Sequence, residues 1–228
     1  MSPGERSSWT DPAVVEGFVR SAPNPALMSY AKAEWRRAMR LRVLDIGCGA
    51  GRNAVPLADM GCDVLGIDRS WPMLHAASGR LQGRDVRLAL AAGAMDALPA
   101  ADRRFDMIVA HGVWNLARTD AELRRAIREA ARVITPDGGL FVFTFSRNTL
   151  PPHATPVAGE SYVFTQFSGE PQCFLTDRQL YDELAAVGFE PDPQVPLVEH
   201  NRRAPGMLST PAVPVIYEAA FRMTLSGG

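Results

Sequence analysis

The tightest constraint on this fold is the stretch Val43-Leu44-Asp45-Ile46-Gly47-Cys48-Gly49-Ala50-Gly51-Arg52-Asn53. An apolar strand over 41–46 runs into three glycines at alternate positions. A helical pattern over 52–60 follows, with Val55, Leu57, Ala58 and Met60 available to face a sheet. A glycine-rich turn between strand and helix lets a ligand approach the backbone at the positive end of the helix. A tight turn needing positive φ explains one or two glycines; three at alternate positions call for a ligand. A second strand, 63–67, ends at Asp68, from which a carboxylate can accept hydrogen bonds from both hydroxyls of a ribose. The expectation is a nucleoside-binding βαβ unit. The dinucleotide fingerprint G-x-G-x-x-G requires a third glycine where this chain has Arg52. The spacing here is G-x-G-x-G, which argues against a pyrophosphate on the turn.

The alternation continues along the chain. The patterns predict helix 70–82, strand 85–91, strand 105–111, helix 119–134 and strand 138–146, the last fed by the turn Pro136-Asp137-Gly138-Gly139. Alternating strands and helices imply a parallel sheet covered on both faces, with ligands at the carboxyl ends of the strands. Asp11-Pro12 reads as a cap followed by proline at the first helical position, starting a helix that runs to about 20. A second helix, 25–39, carries Leu27, Met28, Ala31, Trp35 and Met39 at helical spacing. These two helices are expected to cover the ligand site, and 1–10 to form a loose tail. The connection 147–172 is rich in proline and glycine, with Tyr162, Phe164 and Phe167 among them. A connection of that length is usually functional. Thr176 caps a helix over 177–187, and 189–198 and 213–223 read as closing strands.

The run VLDIGCGAGRNAVPLADMGCDVLGIDRS, from Val43 to Ser70, resembles the first motif of the class I S-adenosylmethionine-dependent methyltransferases. The resemblance extends from about residue 40 to 145. It implies an α/β fold: a Rossmann-like, doubly wound, mostly parallel seven-stranded sheet with a C-terminal antiparallel strand and N-terminal covering helices. It also implies S-adenosyl-L-methionine as cofactor. Gly47, Gly49 and Gly51 would lie against its methionine part, Asp45 near its amino end, and Asp68 on its ribose. After the third strand, family members carry an acid for adenine in a pattern like G-D-x-x-x-L-P. Here Gly93-Ala94-Met95-Asp96-Ala97-Leu98-Pro99 places Ala94 at that position. Backbone groups of Ala94 and Met95 are then the candidates for adenine. The Met95 side chain reads equally as ring packing or core, and Asp96 as solvated or as an alternative acceptor.

His111-Gly112-Val113-Trp114-Asn115-Leu116-Ala117 follows the fourth strand, where methyl group and acceptor meet in this family. His111 is a candidate cofactor contact and the candidate general base, since an unperturbed imidazole pKa near 6.5 suits proton removal around neutrality. It reads equally as a hydrogen-bonded histidine at a strand end. Acceptor-pocket candidates are Tyr30, Trp114, Asn115, Arg147 and Tyr162, with Trp35, Phe145, His153, Phe164, His200, Asn201, Arg202 and Arg203 behind them.

Bulk properties bound the rest. A net charge of −1 over 228 residues gives no electrostatic case for a nucleic-acid or acidic-membrane partner. The four histidines and three cysteines show no metal-ligand spacing. Buried thiols in odd number, a polar N-terminus and no apolar run of membrane length point to a reducing, cytoplasmic setting. The chain reads as one methyltransferase domain over 1–228: covering helices 11–39, cofactor core 40–146, a lid or substrate loop 147–175, and a C-terminal helix with closing strands 176–228. The expected reaction is direct methyl displacement onto an O, N or S nucleophile of a small-molecule acceptor. The alternatives are protein or RNA methylation, or a non-catalytic S-adenosylmethionine-binding module. A nicotinamide-dependent oxidoreductase is disfavoured by Arg52. No feature of the sequence specifies an oligomeric state.

Overall fold

The computed structural model describes residues 8–202 and 213–224. Asp11 and Asn24 cap the first two helices, each accepting a hydrogen bond from a first-turn backbone N–H and each followed by proline. They start α1 (Pro12–Arg20) and α2 (Pro25–Ala38). The alternating unit follows as β1 (Arg42–Ile46), α3 (Ala54–Asp59), β2 (Asp63–Asp68), α4 (Trp71–Gly79), β3 (Leu88–Ala92), β4 (Phe105–His111), α5 (Asp120–Val133) and β5 (Ile134–Phe145). The C-terminal part adds β6 (Val163–Phe164), β7 (Gln172–Cys173), α6 (Asp177–Ala185), β8 (Phe189–Pro191), β9 (Val198–His200) and β10 (Ile216–Met223).

The main sheet runs β3-β2-β1-β4-β5-β10, with β8 and β9 both on the outer side of β10. The first five strands are parallel and β10 is antiparallel to β5. This is the mostly parallel, doubly wound sheet with an antiparallel closing strand that the sequence implies. Side chains alternate between the faces. Leu44, Ile46, Ile108, Ala110 and Val142 pack beneath α5 and α6. Val43, Val64, Met107, Val109 and Phe141 pack beneath α2, α3 and α4. The order reverses between β1 and β4, so a crevice opens at their carboxyl ends.

Three expectations need correction. The helix after the glycines spans only Ala54–Asp59 rather than 52–60, because the backbone stays in a turn through Asn53. The predicted strand 189–198 is two short strands, since Pro191, Pro193 and Pro196 supply no backbone N–H to a ladder. Asp192 instead accepts from the Gln194 N–H. β5 begins at Ile134, ahead of the expected 138, with a bulge against Phe105–Met107 in which Asp137 takes a φ of 62°. Among the described residues no helix is long and apolar enough to cross a membrane.

Candidate active site

The turn after β1 is held open by its glycines. Gly47, Gly49 and Gly51 take φ values of 70°, 53° and 74°, where a side chain is strained. A Cβ on Gly47 would lie 2.7 Å from Val113 Cγ2, and one on Gly51 3.0 Å from Val55 Cγ2. A Cβ on Gly49 would meet nothing nearer than Met73 Sδ at 4.0 Å, and on Gly112 nothing within 4 Å. Two of the turn glycines therefore permit packing; a Cβ on Gly49 would meet Met73 at ordinary contact distance, and Gly112 borders open space. The Gly49 N–H donates to Asp68 Oδ2 and the Ser70 N–H to Asp68 Oδ1, both at 2.8 Å. Asp68 thus ties the turn to the end of β2, and these bonds use about two of the four acceptor sites of its carboxylate.

Asp45 is 2% exposed beneath the turn, and its Oδ2 has no hydrogen-bond partner. Burial, and then the charge of Asp68, push its pKa up to about 7, against the pull of Arg52 and the Ala54 N–H. Arg52 is half-buried and forms no ion pair at contact distance among the described residues. Its Nη2 lies 2.9 and 3.0 Å from the two ring nitrogens of His111. His111, at the end of β4, stacks on Phe143 with centroids 4.0 Å apart. Its Nε2 lies 3.3 Å from Asn24 Nδ2. Burial and the Arg52 charge push the imidazole pKa down to about 3. A ring with that pKa is neutral around pH 7. Asn24 also reaches Asn53 Oδ1 through its N–H (3.1 Å) and Glu218 Oε2 through Nδ2 (2.6 Å). The start of α2 is thereby fastened across the crevice.

The structure brings Asp45, Gly47, Gly49, Gly51, Asp68 and His111 to one edge of the sheet. Ala94 and Met95 follow β3 at the same edge. The Met95 side chain is buried in the core with Ile67 and Leu98, and Asp96 is engaged by Arg125 at 3.1 Å. Most of the acceptor-pocket candidates are placed otherwise. Tyr30 is buried at the opposite edge, over Gly139, and donates to Asp192 Oδ2 at 3.0 Å. Trp35 sits beside Gly61, which precedes β2, away from the site. Tyr162 is buried between Arg124 and Glu183. Arg147 donates to the carbonyls of Leu150, Pro151, Pro152 and Ala154 and lies over the Phe164 ring, organising 147–175 around a small core of Leu150, Phe164 and Phe174. Trp114 is fully buried with Nε1 unpartnered, and Asn115 is 3% exposed with Oδ1 unpartnered; the tryptophan fills core. His153 is exposed, Asn201 and Arg202 bond to Pro214 and Glu199, and Arg203 lies outside the described residues. Phe145 and His200 stay near the crevice. Asn24, Asn53, Phe143 and Glu218 belong to this edge without any local signal in the sequence.

Residues 43–138 match the family model of a methyltransferase domain. The ubiquinone biosynthesis O-methyltransferase of Azorhizobium caulinodans is 32% identical over 153 residues, covering 66% of this chain and 59% of the relative. The demethylmenaquinone methyltransferase of Renibacterium salmoninarum is 37% identical over 115 residues, 50% of this chain and 45% of the relative. The chain therefore spans about half the length of these curated relatives. The crystal structure of a SAM-dependent methyltransferase from Methanosarcina mazei superposes with a TM-score of 0.70 at 20% identity, over 90% of this chain and 100% of that one. Residues 43–138 thus carry a methyltransferase-domain pattern, and the chain is similar in sequence to these methyltransferases and in fold to a SAM-dependent one.

Proposed function

We propose that this protein transfers a methyl group from S-adenosyl-L-methionine to a small-molecule acceptor. The observation that carries the reading is the pairing of Asp68 with the Gly49 N–H, in a turn of left-handed glycines, with a buried Asp45 oxygen nearby that lacks a partner. An orphaned buried carboxylate oxygen is costly, and a cationic amino group nearby would offset that cost. The residues fit the cofactor. Asp68 would hold the ribose hydroxyls, the Gly47–Gly51 turn the methionine portion, Asp45 the neighbourhood of its ammonium, and the backbone at Ala94 and Met95 the adenine.

When bound, the cofactor supplies an electrophilic methyl group on a sulfonium. The protein's part is to orient and to exclude water. A neutral His111 at the crevice adds no positive charge against a sulfonium. Arg52, over that ring, contributes a guanidinium suited to a carboxylate. Asn24 closes the crevice from the α2 side, and Trp114 fills core next to Val113, which abuts Gly47. The two relatives above are named for O-methylation in ubiquinone biosynthesis and for methylation of demethylmenaquinone, and a small-molecule acceptor agrees with those names and with the near-neutral charge of this chain.

Calorimetry with S-adenosylmethionine and with NAD tests the reading. Binding of the first and not the second is expected. Asp68→Ala should weaken cofactor binding by about 1.5–3 kcal/mol, the scale of a hydrogen bond to a charged group. NAD binding in place of S-adenosylmethionine, or an unchanged affinity in Asp68→Ala, would overturn it.

A further inference from the structure

A buried carboxylate without a guanidinium or ammonium partner lies beside the crevice. Glu218 on β10 is 9% exposed. Its Oε2 accepts from Asn24 Nδ2 at 2.6 Å, and its Oε1 lies 3.3 Å from Nε2 of His200, a partly exposed ring. Among the described residues no Arg or Lys pairs with it. A carboxylate offers about four acceptor sites, and these two neighbours use two of them. Keeping a charge this buried with so little compensation is expensive.

Sheet register fixes what this carboxylate faces. Glu218 pairs with Phe143 on β5, and Phe143 pairs with His111 on β4, so the three side chains leave one face of the sheet in a single row. In the next row toward the crevice stand His200, Ile216 and Phe145. One amide nitrogen, Asn24 Nδ2, reaches both Glu218 and His111. The carboxylate therefore sits within a short span of the end of β4, beside a run of rings that are only partly buried.

We propose that Glu218 positions the methyl acceptor, by accepting a hydrogen bond from a hydroxyl or amino hydrogen on a planar aromatic molecule laid along His111, Phe143 and Phe145. This rests on the reading of the chain as a small-molecule methyltransferase. Ring edges and faces favour an aromatic partner in offset or edge contact. The unused acceptor sites of a buried carboxylate favour a donor and repel an acceptor group that is itself anionic on this side. Asn24 and His200 hold the carboxylate in orientation, and no covalent step is assigned to it.

The test is to titrate phenol, aniline, anisole and toluene onto the full chain saturated with S-adenosylhomocysteine, followed by NMR. Phenol and aniline are expected to bind about tenfold more tightly than anisole and toluene, the scale of one hydrogen bond to a charged group. Glu218→Gln keeps the size and turns an N–H toward the ligand, and should bring phenol and anisole to within about twofold, with S-adenosylhomocysteine affinity unchanged. Glu218→Asp withdraws the carboxylate by one methylene and serves as the second variant, with the preference expected to fall at least about threefold. Equal affinities in the wild type, or a preference that persists in either folded variant, overturn the proposal while the cofactor reading stands. Failure of S-adenosylhomocysteine to bind overturns the cofactor reading and this proposal with it.

Discussion

Gly47 and Gly49 both take left-handed φ, yet the structure predicts that they fail differently when given a methyl group. At Gly47 the new Cβ would lie 2.7 Å from Val113 Cγ2 and 2.8 Å from Val113 Cβ. The second of these contacts cannot be relieved by rotating the valine, since a Cβ moves only with its backbone. Gly47→Ala therefore costs the left-handed penalty of about 1–2 kcal/mol together with overpacking of about 1–3 kcal/mol. Gly49→Ala meets only Met73 Sδ at 4.0 Å, and costs the conformational penalty alone, about 1–2 kcal/mol. Urea unfolding monitored by circular dichroism measures both. A cycle with Val113→Ala should give a coupling of about 1 kcal/mol with position 47, from the Cγ2 contact, and none beyond about 0.5 kcal/mol with position 49. Calorimetry with S-adenosylhomocysteine should reverse the ranking in one respect: Gly49→Ala, the milder fold defect, strains the backbone whose N–H holds Asp68 and loses cofactor affinity. Equal stability losses at the two positions, or no coupling between 47 and 113, would refute the division of labour within the turn.

Two further outcomes follow from buried charge. The raised pKa of Asp45, about 7 against an ordinary unfolded carboxylate, means that the folded protein holds a proton the unfolded chain releases. Its contribution to the stability of the ligand-free protein is then full below about pH 4 and is lost as pH rises toward 7. Asp45→Asn should remove that component of the slope; an identical pH profile in the variant would show that Asp45 is not the group responsible. At the opposite edge, Arg222 pairs with Glu34 and Asp192, both 3% exposed. Arg222→Met removes the guanidinium both acids share, leaving Glu34 to Arg37 at 3.5 Å and Asp192 to Tyr30 and the Gln194 N–H, and should cost about 3 kcal/mol in urea unfolding. A loss below about 1 kcal/mol would mean that the two acids find other partners.

What was legible in the sequence is what is local. The glycine turn and Asp68 lie within one short βαβ unit, so period, φ preference and spacing mark them without knowledge of the rest of the chain, and the family resemblance adds Asp45. Capping at Asp11 and Thr176 is likewise local, and those two helices start where the caps place them. The misplaced residues share a different property. Tyr30 has the pattern of a pocket aromatic, but its role is set by Asp192 and Arg222, partners that the strand order alone brings beside it. Tyr162 depends in the same way on Arg124 and Glu183, and Arg147 on carbonyls of a loop whose path no pattern specifies. His111 was placed correctly at the end of β4, but its protonation was not legible, because Arg52 and burial set it.

The same distinction separates the two halves of the proposed site. The cofactor half is drawn from one continuous segment, 45–68, together with the strand end at 94–95. The acceptor half joins Asn24 to Glu218 across almost the whole chain, and those two meet only because β10 inserts beside β5 rather than at the sheet edge. Substitution in the first half must respect turn geometry and the Asp68 bonds at once. Substitution at Asn24, Phe143 or Glu218 touches neither. A chain with this architecture can therefore change its acceptor through positions distant in sequence while the cofactor turn stays the same. That is why the turn names the cofactor from sequence and the acceptor has to be read from the register of β4, β5 and β10.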